Sequence, residues 1–259
     1  ILSTRFGISA TFEKPEVQYR ETVAKTVVGY GHYEPLRHYA EVVLEIAPAE
    51  RNSGITFDST VHIDVLSANY QALVKTHIFE KQHKGILTGS PLTDVKITLI
   101  NGRAHLKHTE GGDFRQATYR AIRQGLEKAE NVILEPFYAF EIYAGEEYAG
   151  RIMTDIQRLR GSFEPPVQMG NTYKIKGRGP VETFMDYQEE LLSFTKGTGS
   201  IVMTVDGYEK CEIADEVIEK INYNKGEDKE NTSCSVFCSH GAGFTVNWDE
   251  SESYMHTLK

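Results

Sequence analysis

Hydrophobic and polar positions along the chain keep two different periods, and the switches between them predict the elements. Residues around Val17 and Tyr19, ahead of Thr22, alternate as a strand does. Tyr39–Pro48 alternates more clearly, with Val42, Leu44 and Ile46 on one face and Glu41 and Glu45 opposite. Tyr70, Leu73, Val74, His77 and Ile78 fall at i, i+3, i+4, i+7 and i+8, one stripe of a helix with Gly85 as a stop. Val95, Ile97 and Leu99 then alternate with Asp94, Lys96 and Thr98. Asn101-Gly102 predicts a hairpin turn, with a return strand from Arg103 toward His108. A Gly-Gly-Asp turn opens a second helix with Asp113 as its N-cap. Phe114, Ala117, Ala121, Ile122 and Gly125 line one face of that helix.

The second half has a simpler rhythm. Phe137–Tyr143 reads as a strand, and Tyr148, Ile152, Ile156 and Leu159 as a helical stripe ending near Gly161. Strands Ser162–Gln168 and Thr172–Arg178 follow. A second helix carries Phe184, Met185, Gln188, Leu191 and Leu192 on one face, and Ser200–Asp206 forms a last strand. The order βαββαβ is the ferredoxin-like plan, an antiparallel sheet with both helices on one face. Lys196–Gly199 and His240–Gly243 read as tight turns. Between them lie a helix around Asp215–Tyr223 and a polar spacer, Asn224–Ser233, without an aliphatic or aromatic residue. Val236–Met255 then packs against one domain or the other.

Composition narrows the function classes. The chain has 259 residues, 40% hydrophobic and 25% charged, which excludes disordered and fibrous classes. Its net charge is -9, from 28 Lys+Arg against 37 Asp+Glu, so bulk positive charge does not hold it on nucleic acid. The charge is uneven. Residues 1–130 hold 16 basic and 15 acidic residues, net +1, while residues 131–259 hold 12 and 22, net -10. The first half is therefore where contact with a polyanion is expected. No apolar run approaches the roughly 20 residues of a membrane helix, and the N-terminus lacks signal-peptide layout. Three cysteines do not make a disulfide framework, which points to a reducing, cytoplasmic home. No G-x-x-x-x-G-K-[ST] phosphate loop occurs.

Polar chemistry concentrates at His105-Leu-Lys-His108 and the adjoining Thr109-Glu-Gly-Gly-Asp113. A metal- or carboxylate-dependent enzyme centred on His105, His108, Glu110 and Asp113 is one reading. Two histidines at i and i+3 of a strand face opposite sides, however, and carboxylates three apart at a helix start usually cap it. The other reading is a loop that docks on RNA through Lys107, the histidines and close-approaching Gly backbone. Gly29-Tyr30-Gly31-His32-Tyr33-Glu34 reads as a second such loop between the first two strands, its aromatic rings suited to stacking on bases. Cys234, Cys238 and His240 lack a fourth zinc ligand at convincing spacing, and Cys238 fits a small core position equally well. No catalytic residue, cofactor-binding residue or metal ligand is assigned. A third reading makes the second half a protein-binding module, with the acidic tail as its partner surface.

Several stretches together carry a resemblance. Lys14–Thr22 resembles the segment that opens domain IV of elongation factor G and its relatives. Leu87–His105 looks like that domain's central strand and hairpin, and Phe114-Arg-Gln-Ala117 like the start of its last helix. Ile133-Leu-Glu-Pro136 is similar to the junction into domain V. The likeness spans about residues 1–210 and, within the family, is strongest to the tetracycline ribosomal-protection proteins. It implies an α+β chain: residues 1–10 as the tail of domain III, 11–132 as an S5-domain-2-like domain IV, 133–212 as a ferredoxin-like domain V, and 213–259 as a C-terminal extension. It also implies a monomeric, non-membrane ribosome binder that is not itself an enzyme, with GTP and magnesium bound in domains upstream. The tip of domain IV would contact ribosomal RNA at the small-subunit decoding region. By position, Gly29–Glu34 is the first tip loop and Lys107–Asp113 the later one. The contacting residues would be Tyr30, Gly31, His32, Tyr33, His105, Lys107, His108, Thr109, Glu110, Gly111 and Gly112. The sequence departs from the family twice. The first loop lacks the Gly-Gly-Arg-Gly-type sequence of the translocating factor. The later loop reads Leu106-Lys107-His108 where protection proteins carry a Ser-Pro-Val-like segment. A factor of this type with a role other than resistance is the alternative.

Overall fold

The computed structural model describes residues 5–7 and 15–258, so the expectation for residues 1–10 falls almost wholly outside them. The chain divides into two compact units: Tyr19–Phe137 with the residues from Val205 onward, and Tyr138–Thr204 with the described residues before Tyr19.

The first unit contains β1 (Arg20–Val23), β2 (Val27–Tyr33), β3 (Ala40–Pro48), β4 (Ile55–Ser59), α1 (Ala68–Phe79), β5 (Val95–Ala104) and α2 (Gly111–Lys128). β2, β3 and β5 pair antiparallel, and β4 adds to β5 in parallel. β1 pairs with the first residues of β6 (Asn131–Gly145). Val42, Leu44 and Ile46 of β3 and Val95, Ile97 and Leu99 of β5 form a buried face. On it lie Val74 and Ile78 of α1 and Phe114, Ala117, Ala121, Ile122 and Leu126 of α2. These are the alternations and stripes that the sequence predicts, because burying one face of a sheet under helices requires them.

Two glycine-rich segments behave otherwise. Asn101-Gly102 makes no hairpin: both residues continue β5 and pair with Val43 and Val42, beside a bulge that leaves Ile100 extra. A Cβ on Gly102 would stand 2.9 Å from Leu66 Cδ2 and 3.1 Å from the Glu41 carbonyl oxygen. Likewise Gly29–Tyr33 is not a loop but the body of β2. A Cβ on Gly29 or Gly31 would stand 2.0 Å from the Ala121 oxygen or 1.9 Å from the Ala117 oxygen. The two glycines let α2 lie directly on the strand.

The second unit runs β6, α3 (Glu146–Arg158), β7 (Ser162–Phe163), β8 (Val167–Met169), β9 (Thr172–Pro180), α4 (Val181–Phe184), α5 (Tyr187–Phe194) and β10 (Ser200–Lys210). β9 pairs with β6, β7 and β8, and β10 pairs with β6. Phe140, Ile142, Ile152, Ile156, Ile175, Phe184, Tyr187 and Leu191 form its core. This is the βαββαβ order, with the second strand split into β7 and β8 and the last helix interrupted at Met185-Asp186.

The C-terminal residues return to the first unit. α6 (Ala214–Ile221) ends at Asn222, whose φ of 49° is the left-handed cap conformation. The polar stretch expected to be a loose spacer is tied down instead. The Asp228 carboxylate accepts hydrogen bonds from Lys84 Nζ (2.9 Å) and Tyr223 Oη (2.8 Å), and Lys81 Nζ donates to Asn231 Oδ1 (2.9 Å). β11 (Ser235–Ser239) and β12 (Ala242–Val246) then form a hairpin turned by His240 and Gly241, both at positive φ. β11 joins β2 in parallel. α7 (Ser251–Tyr254) and the turn His256–Leu258 follow. Phe237, Val246 and Met255 pack with Val43 on the sheet face opposite α1 and α2.

Candidate functional site

Where β2 ends, β3 begins and β5 ends, two loops meet: 34–39 and 105–110. Ala40 pairs with Ala104 at their base. Thr109 Oγ1 donates to the Tyr39 carbonyl (2.6 Å) and accepts the His105 N–H (2.7 Å). The buried Asp113 carboxylate accepts the Glu110 N–H (2.8 Å) and the Tyr39 N–H (3.3 Å), and lies 2.8 Å from His38 Nδ1. One carboxylate thus fixes both loops to the first turn of α2. Asp113 stands at the third helical position, with Glu110 as the N-cap, which moves the helix start three residues earlier than the sequence predicts.

The tip presents Leu36, Arg37, His38, Leu106, Lys107 and His108, all exposed, and Leu106 is fully so. Arg37 holds a φ of 65°, unusual for a side-chain-bearing residue and consistent with a tight turn. The His105 and His108 rings stack at 4.6 Å and 21°, and His105 Nδ1 accepts the Lys107 N–H (3.2 Å). Glu110, Gly111 and Gly112 are also exposed and Thr109 is half-buried. Such a surface offers cations, donors and flat rings to phosphates and bases. It does not suit the enzyme reading of His105, His108, Glu110 and Asp113: the imidazoles stack on each other in solvent, and Asp113 is committed to capping.

Of the remaining predicted contacts, Tyr30, Gly31, His32 and Tyr33 all lie within β2, and of these Tyr33, its last residue and the partner of Ala40, borders the tip loop. The Tyr30 N–H donates to Gln124 Oε1 (2.9 Å), and Lys128 Nζ sits 4.7 Å from its ring centre. Arg120 covers Tyr33 at 5.1 Å. His32 and Gly31 are buried. The residues that actually turn from β2 to β3 are Glu34-Pro-Leu-Arg-His38. Their signal in the sequence is a proline and two basic residues between alternating runs.

Sequence reasoning missed a second cluster, on the sheet face opposite the helices. His32 is fully buried, stacked on Phe237 at 4.1 Å. Its Nδ1 lies 2.7 Å from Glu41 Oε2 and its Nε2 3.1 Å from Glu34 Oε2. Glu41 also accepts the N–H groups of His256 (3.0 Å) and Thr257 (2.6 Å), and Tyr39 Oη lies 3.0 Å from His256 Nδ1. Burial opposes ionisation of Glu41. Hydrogen bonds from His32, Thr257 and the His256 N–H overcome it and hold the carboxyl at about 2. Burial and the Glu41 charge push the Tyr39 hydroxyl well above its ordinary value. No local pattern links residues 217 apart in sequence, as Tyr39 and His256 are.

An α+β unit with a two-loop tip is thus followed in the chain by a ferredoxin-like unit. Residues 15–130 match the family profile described as Elongation factor G, domain IV, and residues 132–228 the profile described as Elongation factor G C-terminus. The chain carries these two domains of an elongation factor G-like protein, in that order. Elongation factor G of Aquifex pyrophilus is 29% identical over 220 residues, covering 83% of this chain and 31% of that protein. A crystal structure of a protein from Thermus thermophilus superimposes with a TM-score of 0.76 at 26% identity, covering 84% of this chain and 33% of that one. The chain thus spans about a third of the length of these relatives. Among the described residues, no helix is long and apolar enough to cross a membrane.

Proposed function

We propose that this chain is the ribosome-engaging end of a translational GTPase, with the 34–39 and 105–110 loops reaching into the small-subunit decoding region. The observation that carries this reading is the convergence of Arg37, His38, Lys107 and His108 on one exposed tip braced by a single carboxylate. The near-neutral charge of residues 1–130 accords with docking by a few placed contacts rather than by bulk attraction. GTP and magnesium would bind in another part of the full protein, and hydrolysis there would time release. On this reading the factor works in the cytoplasm.

Within that class we favour a tetracycline ribosomal-protection role, on the resemblance of the quoted stretches to that group. The test is the full-length gene expressed in a drug-sensitive host, with and without tetracycline. Gain of resistance, lost when Lys107 and His108 are both changed to Ala, supports protection. No gain together with intact ribosome-stimulated GTPase activity assigns the factor a different role in translation. Unchanged ribosome affinity and activity in the double variant would refute the tip assignment.

A further inference from the structure

We propose that His32, Glu34 and His256 form a binding site for a divalent transition-metal cation of the zinc class, which fastens the C-terminal turn to the start of the tip loop. Each of the three offers one ligand atom, and these atoms all lie within 4.8 Å of one another. The set goes beyond ribosome docking, since it sits behind the tip and uses the C-terminal residues that follow the matched family segments.

Three features make this more than a chance cluster. First, valence: a neutral imidazole carries one N–H, yet His32 places each ring nitrogen against a carboxylate, Glu41 at 2.7 Å and Glu34 at 3.1 Å. One contact uses that proton; the other needs a second positive centre between Nε2 and Glu34, which is either a second ring proton or a bound cation, and the test below separates the two. Second, both imidazoles are held from behind. Glu41 receives Nδ1–H of His32, the arrangement that fixes the tautomer of a metal-binding histidine and leaves Nε2 as the ligand. Tyr39 Oη, 3.0 Å from Nδ1, steadies the His256 ring, which also stacks on Tyr39 at 15°. Third, the surroundings are stiff. Phe237 stacks on His32, and the Cys238 N–H donates to Glu34 Oε2 at 3.2 Å.

Two imidazoles and a carboxylate suit zinc, with a fourth position left for water. They suit calcium and magnesium poorly, since those ions prefer oxygen ligands. Such an ion would tie β2, the first residue of the 34–39 loop and the last turn of the chain together, so its occupancy would set how firmly the tip loop is held.

The test is titration of the purified chain with Zn²⁺ by calorimetry, and with Co²⁺ by visible absorption, alongside Mg²⁺. The expected result is one Zn²⁺ or Co²⁺ per chain with a tetrahedral Co²⁺ spectrum, and no response to Mg²⁺. His256→Ala and Glu34→Gln should each weaken binding more than about tenfold, and Tyr39→Phe, which keeps every ligand, by about tenfold. Wild-type protein without a stoichiometric Co²⁺ site overturns the proposal whatever the variants do. Binding that survives unchanged in a folded Glu34→Gln, His256→Ala double variant overturns it as well.

Discussion

Gly31→Ala tests the packing role of the Gly-Tyr-Gly segment of β2. The added Cβ would stand 1.9 Å from the Ala117 oxygen and 2.5 Å from the Ala121 nitrogen, both backbone atoms of α2. No rotamer relieves backbone contacts, so the helix must move to make room. It must do so while its buried face, Phe114, Ala117, Ala121 and Ile122, stays on the sheet. Overpacking of this kind costs about 3 kcal/mol, against roughly 0.4–1 kcal/mol that Gly→Ala gains where the backbone is unstrained. Urea unfolding followed at Trp248 reports the same unit, because the Trp248 carbonyl accepts a hydrogen bond from Gln124 on α2. The net loss is about 2–2.6 kcal/mol, so with a slope of about 2 kcal/mol/M the midpoint should fall by about 1–1.3 M. Gly112→Ala is the control: nothing lies within 4 Å of its Cβ, and it is in the first turn of the same helix. That variant should be unchanged or more stable by about 0.5 kcal/mol. A Gly31→Ala midpoint equal to wild type would refute the packing role.

Further expectations concern the tip, the acid range and the C-terminal return. Lys107 and His108 are exposed, so changing both to Ala should leave the stability read at Trp248 within about 0.5 kcal/mol of wild type while ribosome co-sedimentation weakens; a parallel loss of stability would mean they are structural. Burial works against the Glu80 charge, but hydrogen bonds from Tyr119, Arg115 and His77 prevail and hold its carboxyl at about 2, below the ordinary 4.5. Because the folded value is the lower one, its stabilisation is complete above 4.5 and fades as pH falls toward 2. The stability gap between wild type and Glu80→Gln should therefore close across that window, and a constant gap would contradict the linkage. Asp228→Asn removes the charge that Lys84 holds at 2.9 Å, and should speed amide exchange in residues 224–246 several-fold; unchanged protection there would mean the hairpin anchors itself.

Much of the architecture is legible in the sequence because burial on one side imposes a period. β3, α2 and the βαββαβ unit each carry it across many residues, and packing agrees with it at each of them. Gly29–Tyr33 is not legible, because glycine beside aromatics has the same composition in a loop as in a strand pressed against a helix. The deciding partner, Ala117–Gly125, lies about ninety residues downstream. Asn101-Gly102 misleads for a related reason: the glycine serves a close approach by Leu66 and Glu41, not a turn. The later tip residues, Lys107 to Gly112, stand out by their polarity alone, while Arg37 and His38 are overshadowed by a more conspicuous neighbour. The His32 cluster lies beyond any local pattern, since its members converge only when the last turn of the chain reaches Glu41.

Ribosome engagement by the tip is tested most directly by a photo-crosslinker placed at Leu106, whose complete exposure makes the substitution harmless to the fold. After irradiation of the full-length protein on ribosomes, the crosslinked nucleotides are mapped. Crosslinks confined to small-subunit RNA of the decoding region are expected. Crosslinks elsewhere, or none from a bound and folded protein, would contradict the proposed orientation of the tip.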